Sequence, residues 1–239
     1  MDDSDLFAAT HRQPTANRPL LGLTVLVVED SRYACEAMRL LCLRSGARIR
    51  RADCLKSARR HLQIYRPSVI FVDLGLPDGS GVSLIEELAS ATPRVPVILG
   101  MSGDDFAESA AIAAGADGFL AKPVTSLAVF QNAVLSRLPE DRRAFGPRAV
   151  EDEVICPDPI AYRDDMAHAA DVLDDGAEGS MLDYVAQFLG GVARSADDNV
   201  LAQAAAALAR GRARGGPVAD EAAHISGLIR DRLQQRRAI

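Results

Sequence analysis

Five short apolar runs alternate with stretches of helical spacing, and this alternation constrains the fold more than any other feature of the chain. The runs are LTVLVV (23–28), ARIRRA (47–52), SVIFV (68–72), VPVILGM (95–101) and GFLA (118–121). Three are nearly continuous in Val, Ile and Leu, as strands of a parallel sheet covered by helices on both faces must be. The second alternates, as an edge strand does. In the first intervening stretch Ser31 is a plausible N-cap and Gly46 a C-cap, with Ala34, Met38 and Leu41 on one face. Similar stretches occupy 55–65, 80–91, 105–114 and 125–138. Five strand–helix repeats predict an α/β fold: a (βα)5 doubly wound, five-stranded parallel sheet over 21–139, with its ligand site at the C-terminal strand edge.

The flanks read differently. Residues 1–20 are polar and carry Pro14 and Pro19, the pattern of a flexible leader, and 140–158 are charged and contain Pro147 and Pro157, the pattern of a linker. Beyond it, Met166, Ala169, Ala170 and Leu173 share one helical face, and Met181, Val185, Phe188 and Val192 another. Helices at 197–209, with Leu201, Ala204 and Leu208, and at 218–236, with Val218, Ala222, Ile225, Ile229 and Leu233, complete a small all-α unit over 159–239. Alanine-rich faces give it a thin core, so pairing into a homodimer is an expectation.

Charge is uneven. Residues 1–150 hold 18 basic against 17 acidic side chains, whereas 151–239 hold 9 arginines against 16 acids. An acidic surplus repels the phosphate backbone, which disfavours nucleic acid as the partner of the second half. Arg210, Arg212 and Arg214, and Arg230, Arg232, Arg236 and Arg237, form local basic clusters that solvated helix ends explain. Asp164, Asp165, Asp174 and Asp175 read as solvated faces too. The acidic start MDDSDLFAAT lacks the character of a secretory signal and no apolar run suits a membrane span, so a cytoplasmic location is expected. Cys35, Cys42, Cys54 and Cys156 include no C-x-x-C pair and read as reduced thiols.

Chemistry concentrates at the strand ends. Strand one ends in Glu29 and Asp30, strand three in Asp73, strand four in Ser102, and strand five leads to Lys122 and Pro123. In a parallel sheet these converge on one edge, where carboxylates repel unless a cation sits among them. An all-oxygen ligand set suits Mg2+.

VLVVEDS (25–31), VDLGLPDGSG (72–81), VILGMSG (97–103) and GADGFLAKP (115–123) resemble the receiver domain of bacterial two-component response regulators, over about half of the chain. The resemblance implies strand order 2-1-3-4-5, the order of the family's chemotaxis example. It implies Asp73 as the phosphoacceptor, Lys122 as its counter-cation, and Glu29, Asp30, Asp73 and the Gly75 carbonyl as Mg2+ ligands. Ser102 takes the family's hydroxyl position and Phe119 the aromatic switch position. Gly75 and Asp104, two residues beyond Asp73 and Ser102, stand where side chains modulate phosphate lifetime. The segment between Ser102 and Lys122 is slightly short for the family, which implies a fourth helix that is trimmed or shifted. The resemblance further implies a domain that catalyses only its own phosphorylation and dephosphorylation, with a sensor histidine kinase or histidine phosphotransfer protein as phosphodonor.

For the second half the main expectation is an output through contact with a downstream protein target. Two other readings stay open. One is a DNA-binding regulator using helices 197–209 and 218–236, across a connector of seven residues from Gly211 to Pro217, long for a tight turn. The other is a phosphorelay intermediate using His224 or His168; Gly227 follows His224, but no lysine occurs in the second half. No glycine-rich phosphate loop or nucleophile motif suggests an enzymatic output.

Overall fold

The computed structural model describes residues 13–104, 106–143 and 153–234. In chain order the elements are β1 (Thr24–Val28), α1 (Arg32–Ser45), β2 (Arg48–Ala52), α2 (Leu55–Ile64), β3 (Val69–Asp73), β4 (Gly75–Leu76), β5 (Gly79–Ser80), α3 (Gly81–Ser90), β6 (Val97–Ser102), α4 (Ala107–Ala113), β7 (Gly118–Ala121) and α5 (Leu127–Leu135). A 3-10 turn at Glu140–Arg142 precedes α6 (Pro159–Asp174), α7 (Ser180–Ser195), α8 (Asn199–Ala213) and α9 (Ala219–Gln234).

The large sheet has the order β2-β1-β3-β6-β7, all parallel, while β4 and β5 form a separate two-stranded antiparallel piece. Counting the five main strands along the chain gives 2-1-3-4-5, as expected, with the alternating ARIRRA run at one edge. Residue alternation splits the core between two layers. Val25, Val27, Phe71 and Leu99 face α1 and α5, and Phe71 stacks on Phe130 at 5.4 Å between ring centroids. Leu26, Val28, Ile70 and Ile98 face α2, α3 and α4. Each such side chain contributes about 1.5–3 kcal/mol by leaving water. Ser31 caps α1 by accepting from Ala34 N, and Gly46 closes it in the left-handed region, φ 83°. Helix α4 has seven residues.

Several expectations change. Residues 1–12 of the leader lie outside the described residues, but Leu20 is fully buried in the α/β core and its N–H donates to Ser45 O at 2.9 Å. Of the linker, 144–152 lie outside the described residues, Pro147 among them. Residues that follow return to the core: Ile155 is buried, its N–H donates to Thr125 O, and Leu127 N donates to Glu153 O. Helix α8 runs to Ala213 rather than ending at 209, so the connector to α9 is residues 214–218. Gly211 allows this, since a Cβ there would stand 2.8 Å from Val218 Cγ1. In α7, Val185, Phe188 and Val192 are buried as expected but Met181, in the first turn, is 41 % exposed. The end of the last predicted helix, with Arg236 and Arg237, lies outside the described residues.

The four C-terminal helices share a core of Met166, Leu189, Leu201, Leu208 and Ile225, among others. Asp198 anchors α8 by accepting from Leu201 N, and it also takes a hydrogen bond from Tyr162 and an ion pair from Arg232. Arg212 pairs with Asp183 at 2.9 Å. These two arginines of the basic clusters are therefore engaged within the chain. Among the described residues no helix is long and apolar enough to cross a membrane.

Candidate functional site

At the C-terminal edge of the sheet β1 delivers Glu29 and Asp30, β3 Asp73, β6 Ser102, and the turn after β7 Lys122. Register fixes the arrangement: Asp73 pairs with Met101 and Ser102 with Ala121, so each chemical residue ends its strand at a common level. Glu29, Asp73 and Ser102 are buried. Lys122 Nζ stands 2.5 Å from Glu29 Oε2 and 3.0 Å from Asp73 Oδ1. One oxygen from each of Glu29, Asp30 and Asp73 lies within 4.8 Å of the others.

Electrostatics follow from this crowding. Burial pushes the Glu29 carboxyl well above the usual range, with Lys122 opposing and Asp73 and Asp30 adding to it. Burial likewise raises Asp30 to about 6, against the hydrogen bond it receives from Tyr184. Burial alone would depress the Lys122 ammonium, but the Asp73 and Glu29 carboxylates outweigh it and hold it above its ordinary value. Three carboxylates face one ammonium, an excess of negative charge in a water-poor place. A hard dication with oxygen ligands fits this donor set, and the Gly75 carbonyl belongs to a residue lining the same cavity.

Ser102 Oγ accepts from Asp104 N at 3.1 Å, and both residues line the cavity. Phe119 sits apart from the carboxylates: it is half-buried in the α2–α4 layer, beside Gly100, where a Cβ would stand 3.3 Å from its Cδ2. His168 and His224 are both exposed. His168 Nε2 lies 3.4 Å from the Tyr184 hydroxyl.

Residues 25–133 match the family model of the response regulator receiver domain. This segment is a receiver domain. The chain is 32 % identical over 99 residues to the KDP operon transcriptional regulatory protein KdpE of Escherichia coli, covering 41 % of this chain and 44 % of that one. To the virulence transcriptional regulatory protein PhoP of Salmonella typhimurium it is 30 % identical over 102 residues, 42 % of this chain and 46 % of that one. The chain thus spans less than half the length of these curated relatives. A solved two-component response regulator from Clostridium difficile aligns with 48 % of this chain and 93 % of its own, at 22 % identity and a TM-score of 0.44.

The receiver's site also has contributors that sequence reasoning missed. Tyr184 of α7 donates its hydroxyl to Asp30 Oδ2 at 2.6 Å. Gln187 stands against Gly75 so closely that a Cβ there would be 2.0 Å from its Nε2. Arg194 lies over Gly103, where a Cβ would be 2.5 Å from Nη2. Asp165 is not a solvated acid: it is 1 % exposed and accepts from Ser31 Oγ at 2.7 Å, Arg32 N at 2.7 Å and Tyr33 N at 3.0 Å. It thereby satisfies amide groups at the N-terminus of α1. The only sequence signal for these residues is polarity on a helix face whose opposite side is apolar.

Proposed function

We propose that the chain is a two-component response regulator that takes a phosphoryl group on Asp73 and signals through its helical C-terminal unit. The observation that carries this reading is Asp73 buried at the strand edge with the Lys122 ammonium 3.0 Å away and two further carboxylates beside it. Glu29, Asp30, Asp73 and the Gly75 carbonyl would hold Mg2+, which when bound supplies positive charge to the phosphoryl oxygens.

In the reaction an Asp73 carboxylate oxygen attacks the phosphorus of a phosphohistidine. The P–O bond of the acyl phosphate forms, the P–N bond breaks, and the imidazole leaves with the electron pair. The Lys122 ammonium stabilises charge on the transferring oxygens. Ser102 donates its hydroxyl hydrogen to the acyl phosphate, and the Phe119 side chain follows Ser102 as the aromatic switch. Gly75 and Asp104 border the path of the water that later attacks phosphorus and restores the Asp73 carboxylate.

The phosphodonor is a sensor histidine kinase or histidine phosphotransfer protein in the cytoplasm. The output of the unit from 159 onward is regulated contact with a downstream protein or a second copy of the chain. Incubation with acetyl phosphate and Mg2+ tests the reading. A hydroxylamine-sensitive phosphoprotein is expected for the wild type and none for Asp73→Asn; label retained in the variant, or absent from both, overturns it.

A further inference from the structure

The surface a phosphodonor has to reach is covered by this chain's own helices. Tyr184, Gln187 and Arg194, three and then seven residues apart, share one face of α7, and that face lies along the site from Asp30 past Gly75 to Gly103. Helix α6 fastens the cover at the N-terminus of α1. Asp165 takes three hydrogen bonds there, Asp164 pairs with Arg32 at 2.8 Å, and Tyr162 meets Tyr33 edge-on at 5.9 Å between ring centroids. Between the receiver and α7 remains a cavity of ≈ 990 Å³, with Asp73, Lys122 and Ser102 on its floor and Gln187, Arg194 and Arg210 on the opposite side. The site is roofed rather than filled.

We propose that α6 and α7 form an intramolecular cap on the phosphoacceptor face, and that its docking competes with cation loading and with approach of a protein phosphodonor. The proposal rests on the reading of Asp73 as acceptor. The competition has a physical basis at two residues. The Tyr184 hydroxyl engages an oxygen of Asp30, and a hydrogen bond to a charged carboxylate in a buried place is among the stronger ones. Mg2+ demands near-octahedral geometry from its ligands, and the Gln187 amide stands against Gly75, whose carbonyl would be one of them. A donor that presents its histidine on a protein surface must bring that surface to the sheet edge, where α7 lies. Whatever binds only the uncapped form shifts the chain toward it by mass action. Loading therefore uncaps, and uncapping frees the polar face of α7 for another partner.

The test is calorimetric titration of the full chain with Mg2+ alone, for wild type, Tyr184→Phe and Asp165→Asn. Tyr184→Phe removes only the hydroxyl that engages Asp30. Asp165→Asn loosens the cap at α1 without touching a carboxylate of the cluster. Both are expected to bind Mg2+ more tightly, Tyr184→Phe by about tenfold. Affinities equal to wild type in both variants, or weaker binding in Tyr184→Phe, overturn the cap. Acetyl phosphate labelling of the same samples separates the two readings. Label on these samples that Asp73→Asn lacks, with unchanged Mg2+ affinity, rejects the cap alone, and no label on any sample rejects the acceptor reading on which it rests.

Discussion

Lys122 Nζ lies 3.0 Å from Asp73 Oδ1 while also touching Glu29 Oε2 at 2.5 Å, so one ammonium serves two buried carboxylates from two strands. Its side chain is 11 % exposed, so loss of either partner would leave an uncompensated charge out of reach of bulk water. The same placement neutralises part of the carboxylate cluster, and in the proposed reaction the ammonium meets the phosphoryl group.

Lys122→Ala separates those two roles. Removing one partner of a buried pair leaves uncompensated charge and destabilises by about 3–5 kcal/mol. Urea unfolding of the metal-free protein is expected to show a loss in this range, reduced by added Mg2+. Acetyl phosphate labelling of the folded variant in Mg2+ is expected to fall by about tenfold or more.

The raised carboxyls fix the sign of the pH dependence. Burial lifts Asp30 to about 6, above its value in the unfolded chain, so the folded protein holds a proton the unfolded one has released. Stability of the metal-free protein therefore declines as pH rises from about 4 to about 6, and the penalty is complete above that. Glu29 acts in the same direction. A cation replaces those protons, so Mg2+ should raise the melting temperature more at about pH 8 than at about pH 5. Thermal scans with Mg2+ and with EDTA at both values check this; an equal shift at both contradicts it.

Asp198 ties three helices together. Its carboxylate is held at about 2, first by Arg232 and also by Tyr162 and the Leu201 amide. Asp198→Ala removes the α8 cap and leaves Arg232 and Tyr162 without that partner. A loss of about 2–4 kcal/mol in urea unfolding is expected, confined to the helical unit. Amide exchange should rise in α8 and α9 and stay unchanged in β3 and β6.

Much of this was readable from residue order, and the part that was not has a physical cause. Continuous runs such as VILGM specify buried parallel strands, and Ser31 and Gly46 mark the ends of α1, because both signals are local. The convergence of Glu29, Asp30, Asp73, Ser102 and Lys122 follows once the strands are parallel. Asp165 and Tyr184 gave no such signal. A polar residue on a helix face looks the same whether it meets water or a carboxylate 154 positions away, as Tyr184 does. Leu20 and Ile155 were hidden in segments whose prolines and charges resemble leader and linker, although each places one apolar side chain in the core. Gly211 looks in the sequence like the start of a connector, whereas it lies within α8 and serves the close approach of Val218.

In the proposed function Asp73, beside Lys122 and the other carboxylates, accepts the phosphoryl group with Mg2+ at hand. Fluorine NMR of the full chain with beryllofluoride, a mimic of the aspartyl phosphate, tests it most directly. Resonances of bound beryllofluoride are expected in wild type with Mg2+, and their absence without Mg2+ and in Asp73→Ala. Bound resonances that persist in Asp73→Ala, or none in the wild type with Mg2+, would contradict the proposed function.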